Sequence, residues 1–217
     1  MSEYEAVLVF TSVHDERELL QAWRGGDDRA GSRLFQLHFD GVHRFFYGKV
    51  EDAAVEELTQ ETFLSIVRNR DTLSENRSVR AYLFTVARHK LYDYFRKRSR
   101  EPQTADPSKC SLEHLGLTPT GEVARRQQEQ TLLHALRCLP LELQILTELR
   151  YFEGMRGPEL AESLDVPLGT VRSRLRRAHR LMREQLEQLA LSPEQIRSTL
   201  SGLEDWAGDI RARSGEA

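Results

Sequence analysis

The segment GTVRSRLRRAHRLMR, residues 169–183, carries the strongest fold signal in the sequence. It holds six arginines, one histidine and no acidic residue, although the whole 217-residue chain has a formal net charge of -3. Its apolar residues recur at spacings of four, three and four, which predicts a helix with one buried face. That face is formed by Val171, Leu175, Ala178 and Met182, and the basic face beside it by Arg172, Arg176, Arg180 and Arg183.

The residues before this helix predict a helix-turn-helix. Gly154 is suited to end one helix in a left-handed conformation, and Gly157-Pro158 to begin the next. Asp165-Val166 predicts the tight turn, and Pro167 is expected at the first helical position, where its missing N–H costs nothing. The apolar positions expected to face inward are Leu143, Leu146, Leu149, Leu160, Ala161 and Leu164.

The basic helix has the features of a DNA recognition helix. Thr170 and Ser173 lie near its amino end, where such a helix contacts base edges. Arginine offers both a bidentate fork for guanine and a charge for phosphate. The alternative is a solvated basic face that acidic residues elsewhere balance. We expect contact with DNA because the helix directly follows a well-formed turn and carries no interspersed acid.

An earlier helix, expected over residues 78–100, combines aromatic and basic side chains. Ser78 is suited to cap it, and an apolar stripe runs through Val79, Leu83, Val86, Ala87, Leu91 and Tyr94. Phe84, Arg88, Tyr92 and Arg96 recur every fourth residue on a neighbouring face. Rings stack on exposed bases while cations follow the backbone, so this face fits single-stranded nucleic acid. The alternative is that the two rings extend the core.

The helix expected over residues 50–70 is acidic at its start. The acids are Glu51, Asp52, Glu56, Glu57 and Glu61, and the core side is expected to hold Val55, Leu58, Phe63 and Ile66. Early acids suit the helix dipole, which is a sufficient structural explanation. The surplus of carboxylates also fits docking on a basic protein partner.

The chain as a whole is predicted to be all-α, with two small helical domains and a carboxyl-terminal helical extension. The expected limits are an amino-terminal extension at 1–14, a first domain at 15–100, a linker at 101–125, a second domain at 126–190 and the extension at 191–217. The linker is rich in Pro, Ser, Thr and Gly. In the extension, Ser192 and Pro193 signal a helix start before an apolar stripe of Ile196, Leu200, Leu203, Trp206 and Ile210.

Several function classes are not expected from this composition. No apolar run approaches the ~20 residues that a membrane-spanning helix needs, so we expect a cytoplasmic protein without membrane insertion. Cys110 and Cys138 have no metal-binding spacing, and we expect neither a metal nor a cofactor. Paired carboxylates in apolar surroundings, a phosphate loop and a nucleophile motif are all missing, so we expect no enzyme.

Three motifs together resemble bacterial RNA polymerase sigma factors of the extracytoplasmic-function (ECF) group. AVEELTQETF at 54–63 is similar to the DAED-x-x-Q-E-x-F pattern of region 2.2. YLFTVARH at 82–89, followed by Asp93 and Arg96, is similar to the W-L-x-x-I-A-R-N…D-x-x-R pattern of regions 2.3 and 2.4. VPLGTVRSRLRRA at 166–178 resembles the end of region 4. The ordered set is far more specific than any one motif.

The resemblance implies a transcription initiation factor with core RNA polymerase and promoter DNA as partners. The polymerase-binding residues would be Glu56, Glu57, Gln60, Glu61 and Phe63. The melted −10 strand would be bound by Phe84, Arg88, His89, Tyr92, Arg96 and Lys97. The −35 element would be bound by Thr170, Arg172, Ser173, Arg174, Arg176, Arg177 and Arg180. The alternative is a helix-turn-helix regulator that does not act as a polymerase subunit.

The resemblance also implies external control, by an anti-sigma factor or a Ser/Thr kinase. The acidic motif reads AVEE here, with one carboxylate fewer than the family pattern. Phosphate on Thr59 or Thr62 would restore negative charge beside the remaining glutamates. The alternative is that both threonines are ordinary surface or packing residues. Two further departures are Tyr82 in place of the usual tryptophan and His89 in place of the usual asparagine.

Overall fold

The computed structural model describes residues 13–73, 78–98, 123–189, 193–203 and 208. Within these ranges the chain forms helices joined by turns, which confirms the prediction of an all-α fold. The helices are α1 Val13–Arg24, α2 Asp28–Phe46, α3 Asp52–Asn69, α4 Val79–Arg98, α5 Val123–Arg137, α6 Leu141–Tyr151, α7 Gly157–Leu164, α8 Leu168–Gln188 and α9 Pro193–Ser201. We call α1–α4 the first block and α5–α9 the second block.

The first block packs α2 against α1, α3 and α4 around an apolar core. Its largest fully buried side chains are Leu34, Phe46, Ile66, Leu83, Phe84 and Leu91. Two caps fix helix starts. The Asp27 carboxylate accepts hydrogen bonds from the backbone of Arg29 and Ala30, and the Ser78 hydroxyl accepts one from Ala81 N at 3.3 Å. The Ser78 cap confirms the predicted start of α4.

The second block contains the predicted helix-turn-helix, formed by α7 and α8. Asp165 has φ 53° and ends α7 in the left-handed region, and α8 follows after two residues. The expected position of Pro167 was wrong by one residue. It lies before the helix with ψ 147°, and its carbonyl accepts from Thr170 N and Val171 N, so it is the N-cap. Gly154, at φ 63°, has the predicted left-handed conformation in the α6–α7 loop.

The carboxyl-terminal helix α9 packs on α5 and α8, inside the second block. It begins at Pro193 as predicted, and Ile196 and Leu203 of its stripe are buried there while Leu200 is partly buried. Ser192, Trp206 and Ile210 lie outside the described residues, as do residues 1–12 and most of the expected linker. Of the described helices, none has the length and apolar character that spanning a membrane would require.

The two blocks share one continuous apolar cluster. It joins Phe45, Phe84 and other residues of α1–α4 to residues of α6, α7 and α8. The members from the second block are Ile145, Leu146, Leu149, Met155, Leu160, Leu164 and Val171. A second cluster holds α5, α8 and α9 together. The helix-turn-helix is therefore packed between the first block on one side and α5 and α9 on the other.

Candidate nucleic-acid interface

The basic side chains of α8 project from a well-anchored helix. Val171, Ala178, Met182 and Leu186 fix one face in the core, as the spacing predicted for the first three. The opposite side exposes Arg172, Ser173, Arg176, Arg177, Arg180 and Arg183, with Thr170 and Arg174 half-buried. Of the seven residues that we expected at the −35 element, five are thus exposed on one side of α8, and Thr170 and Arg174 are half-buried beside them.

Two arginines of this helix have local acidic partners. Arg174 lies 3.4 Å from Glu142 of α6, and Arg180 lies 2.9 Å from Glu184 one turn away. Both pairs are largely solvated and contribute little energy. Arg172, Arg176 and Arg177 form no ion pair with another residue of the described ranges. Their guanidinium groups are therefore the ones best placed to meet phosphate or guanine.

The residues expected at the −10 strand divide into exposed and buried groups along α4. His89, Arg96 and Lys97 are exposed, and Arg96 pairs with Asp93 at 2.8 Å. Arg88 and Tyr92 are half-buried. Phe84 is only 1% exposed and packs edge-on against Phe45 at 5.8 Å. For Phe84 the structure favours the alternative interpretation, in which the ring extends the core.

Arg88 and Tyr92 line a cleft of about 250 Å³ between α4 and the helix-turn-helix. Its second-block lining is Glu142, Ile145, Leu164, Asp165, Val166 and Arg174. Burial, helped by the nearby Glu142 carboxylate, raises the pKa of the Tyr92 hydroxyl, which stays protonated at neutral pH. Tyr92 thus lines the cleft as a half-buried, protonated side chain.

The acidic face of α3 is exposed, which a docking surface requires. Glu56, Glu57, Gln60 and Glu61 all project into solvent. Glu61 also pairs with Lys90 of α4 at 2.6 Å. Phe63 is 7% exposed and packs against Phe35 with ring centroids 5.1 Å apart. Phe63 therefore packs α3 onto the core, and the three glutamates and Gln60 form the exposed surface.

An apolar part of this surface was missed by the sequence analysis. Leu64 and Val67 of α3 are exposed, and Phe39 of α2 is 49% exposed and stacks near Phe63 at 6.2 Å. Gln60, Leu64 and Val67 are spaced by four and three residues and share one side of α3. The available signal was the apolar residue that directly follows each of the core positions Phe63 and Ile66. The α3 face thus combines acids with an apolar strip.

The two threonines considered for phosphorylation are both in the core. Thr59 and Thr62 are buried, and the Thr62 hydroxyl donates to the Leu58 carbonyl at 2.7 Å. A kinase needs the hydroxyl in solvent, so neither residue is accessible while α3 is packed as here. The geometry favours the packing interpretation of both threonines, and phosphorylation stays a prediction.

We also searched the described residues for a metal site and for free cysteines. In the part of the chain that the structure describes, no three histidine, cysteine or acidic side chains are grouped to hold a metal ion. Cys138 is a half-buried free thiol whose pKa is raised by burial. Cys110 lies outside the described residues. The described residues present one acidic face on α3 and one basic face on α8.

Two family models match the chain in order. The model of Sigma-70 region 2 matches residues 34–101, which contain α2, α3 and α4. The model of Sigma-70, region 4 matches residues 129–182, from within α5 to most of α8. The acidic face, the aromatic and basic helix and the helix-turn-helix all fall within these matches.

Curated relatives cover most of the chain. RNA polymerase sigma factor HrpL of Pseudomonas syringae pv. syringae is 30% identical over 153 residues, or 69% of this chain and 83% of HrpL. ECF RNA polymerase sigma-E factor of Haemophilus influenzae is 23% identical over 80% of this chain and 96% of that protein. ECF RNA polymerase sigma factor SigW of Bacillus subtilis is 26% identical over 76% of this chain and 92% of that protein.

Solved structures share the fold. CnrH, in complex with the cytosolic domain of CnrY, has a TM-score of 0.56 and 23% identity over 81% of this chain and 97% of CnrH. The sigma factor RpoE of Bartonella quintana, in complex with the anti-sigma factor NepR, has a TM-score of 0.55 and 23% identity. That match covers 72% of this chain and 96% of RpoE. Both similarities are to helical proteins of the same architecture.

Proposed function

The chain belongs to the extracytoplasmic-function group of the sigma-70 family and directs RNA polymerase to promoters, and from this premise we propose how its surfaces divide that task. Residues 15–100 act as the region 2 domain and residues 126–190 as the region 4 domain, with 101–125 as linker and 1–14 and 191–217 as extensions. We assign a binding role, and no catalytic one, to the residues of these surfaces. The protein acts in the cytoplasm, where the polymerase is.

One observation carries this division: two exposed faces of opposite charge lie on different blocks. The α3 face, with Glu56, Glu57 and Glu61 beside Leu64 and Val67, has the charge and the apolar strip suited to a basic protein surface. The α8 face carries arginines suited to duplex phosphate and guanine. The α3 face therefore binds core polymerase, and the α8 face binds the −35 element.

We assign binding of the −10 element to α4. Arg88, His89 and Tyr92 supply a ring and cations for unstacked bases, and Arg96 and Lys97 continue the positive charge. Stacking on Tyr92 acts only once bases leave the duplex. Phe84 supports this helix from the core. Melted non-template strand is thus the ligand of α4.

Regulation by a protein partner fits the same surfaces. Two similar structures are sigma factors in complex with the cytosolic domain of CnrY or with the anti-sigma factor NepR. An anti-sigma factor that covers α3 or α4 would compete with polymerase or promoter. A Ser/Thr kinase remains a second route of control, and it requires that Thr59 or Thr62 first become accessible. A regulator that binds duplex DNA without polymerase is not favoured, because it has no use for the α3 face.

Two sets of charge changes test the division of labour. Glu56→Lys with Glu57→Lys should abolish most binding to core polymerase and leave binding of −35 duplex unchanged. Arg172→Ala with Arg176→Ala should weaken binding of −35 duplex and leave binding to core polymerase unchanged. Each lost phosphate contact should also lower the slope of log affinity against log salt by ~0.9. Polymerase binding is measured by native gel shift, and duplex binding by fluorescence anisotropy at several salt concentrations.

Two single-residue controls change charge away from both faces. Glu194→Lys reverses an exposed acid and Arg197→Ala removes an exposed cation, both on α9. Both should behave as wild type in both assays. If the α3 variant keeps full polymerase affinity, the docking assignment is wrong. If the α8 variant keeps its duplex affinity and salt slope, the −35 assignment is wrong.

A further inference from the structure

A hydrogen bond links the last residue of α6 to the basic helix α8. The Tyr151 hydroxyl oxygen lies 2.7 Å from His179 Nε2. The two rings are also stacked, with their centroids 5.8 Å apart and an angle of 28° between their planes. On the tyrosine side, the guanidinium carbon of Arg150 lies 5.6 Å from the centre of the Tyr151 ring. The imidazole of His179 is therefore held by both a directional bond and a ring contact.

The two partners of this bond differ in burial. Tyr151 is 9% exposed and belongs to the apolar cluster that also holds Ala178 and Met182 of α8, whereas His179 is exposed. A buried tyrosine needs a partner for its hydroxyl, and here that partner lies at the surface. The bond thus ties a side chain in solvent to a residue that the core holds in place.

His179 lies in line with arginines of the α8 face. Arg172, Arg176, His179 and Arg183 are spaced by four, three and four residues, so they form one stripe along the helix. All four side chains are exposed. An α-helix rises ~1.5 Å per residue, which places His179 about 4.5 Å beyond Arg176 along the axis. A duplex that contacts the arginines of this stripe therefore contacts the imidazole as well.

The bond to Tyr151 determines the chemistry that His179 offers to a ligand. A neutral imidazole has one donor and one acceptor nitrogen. When the Tyr151 hydroxyl donates to Nε2, the imidazole proton is on Nδ1, and Nδ1–H becomes the donor. Phosphate oxygens are acceptors, and half or more of the hydrogen bonds between proteins and DNA go to phosphate or sugar. In contrast to an arginine, this donor adds no charge to the stripe.

We propose that His179 binds a backbone phosphate of the −35 duplex as a neutral donor through Nδ1–H, and that Tyr151 is the positioning residue that fixes the tautomer and orientation of the imidazole. A side chain that is already held in its binding orientation loses less entropy on association. A neutral donor releases no counterion, so the contact adds affinity without adding salt dependence. The inference rests on the proposed function, because that function places the duplex on the α8 face.

The test measures duplex binding by the full chain at a pH of about 8, above the ordinary histidine pKa of ~6.5. A phosphate contact is independent of base sequence, so a fluorescein-labelled DNA duplex is titrated by anisotropy at several salt concentrations. The variants are His179→Ala, Tyr151→Phe, which keeps the buried ring, and the two combined. Tyr94→Phe is the matched control, because it removes a hydroxyl that accepts from Arg98 at 2.7 Å in the first block. Circular dichroism verifies that each variant is folded.

The expected results depend on one shared contact. His179→Ala should weaken duplex binding about threefold to tenfold, the effect of one lost hydrogen bond, and leave the slope of log affinity against log salt unchanged. Tyr151→Phe should weaken binding less, and it should have no further effect in the His179→Ala background, because both changes act on the same contact. Tyr94→Phe should match wild type. Wild-type affinity in His179→Ala, or a further loss when Tyr151→Phe is added to it, overturns the inference.

Arg176→Ala, measured in parallel, separates this inference from the proposed function. If Arg176→Ala loses affinity and ~0.9 of the salt slope while His179→Ala binds as wild type, the role of His179 alone is overturned. A slope that His179→Ala also lowers by ~0.9 would show that the imidazole binds as a cation, which overturns the neutral donor. Unchanged affinity and slope in Arg176→Ala overturn the −35 assignment of α8, and the inference with it.

Discussion

His38 is a titratable side chain held in the core, between Glu16 and Arg80. Burial, followed by the charge of Arg80, lowers its pKa from 6.5 to about 3, and its Nε2 lies 3.5 Å from Glu16 Oε1. The imidazole is therefore neutral in the folded protein at pH 7. Because the unfolded chain takes up a proton below pH 6.5 and the folded one does not until about pH 3, folding stability is lost as pH falls through this window.

Below the ordinary histidine pKa, the titration of His38 alone should therefore lower the free energy of unfolding by ~1.4 kcal/mol for each unit that the pH falls. The pKa of Glu16 is raised by burial and acts in the opposite direction above pH 4.5, so the comparison uses a variant. Between about pH 7 and about pH 5, wild type should lose ~2 kcal/mol more than His38→Gln in urea denaturation. Equal losses would show that His38 titrates normally.

Thr59 and Thr62 differ in how their buried hydroxyls are satisfied. The Thr62 hydroxyl donates to the Leu58 carbonyl, whereas that of Thr59 has no hydrogen-bond partner among the described residues. Thr59→Val should leave the free energy of unfolding unchanged or raise it by up to ~1 kcal/mol, and Thr62→Val should lower it by ~0.5–1.5 kcal/mol. Denaturant titrations compare the two. A larger loss for Thr59→Val would indicate a partner in the native state.

Phe84 and Tyr92 were predicted on one face of α4, but the structure buries Phe84 fully and Tyr92 only in part. Phe84→Ala should cost ~3–5 kcal/mol of stability by leaving a cavity. Tyr92→Ala should cost much less stability and weaken binding of the melted −10 strand by ~1–3 kcal/mol. Denaturation of the free protein and binding of a premelted template by its complex with polymerase separate the two effects. Strand binding that Tyr92→Ala leaves intact would remove this ring from the mechanism.

At the scale of elements, α9 acts as a brace for region 4. Ile196 and Leu203 are buried against α5 and α8, and burial of such a side chain contributes ~1.5–3 kcal/mol. Truncation after Ala190 should lower the free energy of unfolding of the second block by ~2–4 kcal/mol and leave transcription unchanged at low temperature. Truncation after Leu203 keeps α9 and is the control. A rise in polymerase affinity on truncation after Ala190 would instead indicate that α9 inhibits.

Local signals explain why the elements could be predicted from the sequence. The cap at Ser78, the turn at Asp165 and the apolar spacing of Val171, Ala178 and Met182 depend on residues a few positions apart. The start of α8 was predicted one residue too early. The preference of proline for the first helical position placed Pro167 inside the helix, whereas its ψ angle of 147° makes it the N-cap.

At the scale of the whole molecule, the contact between the blocks could not be predicted from the sequence. Arg44 and Glu153 are 109 residues apart, and nothing within either segment marks them as partners. At that same contact Phe84 is buried and Tyr92 lines a cleft. The sequence therefore predicted which residues form the candidate −10 face, but not how exposed each of them is. The faces of α3 and α8 were predictable because each depends on one amphipathic helix.

The central claim, promoter-specific initiation by this chain with core polymerase, is tested most directly by run-off transcription. Purified core polymerase and a promoter library are incubated with wild-type protein, with the Glu56→Lys, Glu57→Lys variant, or without either. Wild type should yield discrete transcripts from a subset of promoters that share −35 and −10 elements, and the variant should yield few. No specific transcript with wild type, but regulation once another sigma factor is added, would contradict the account.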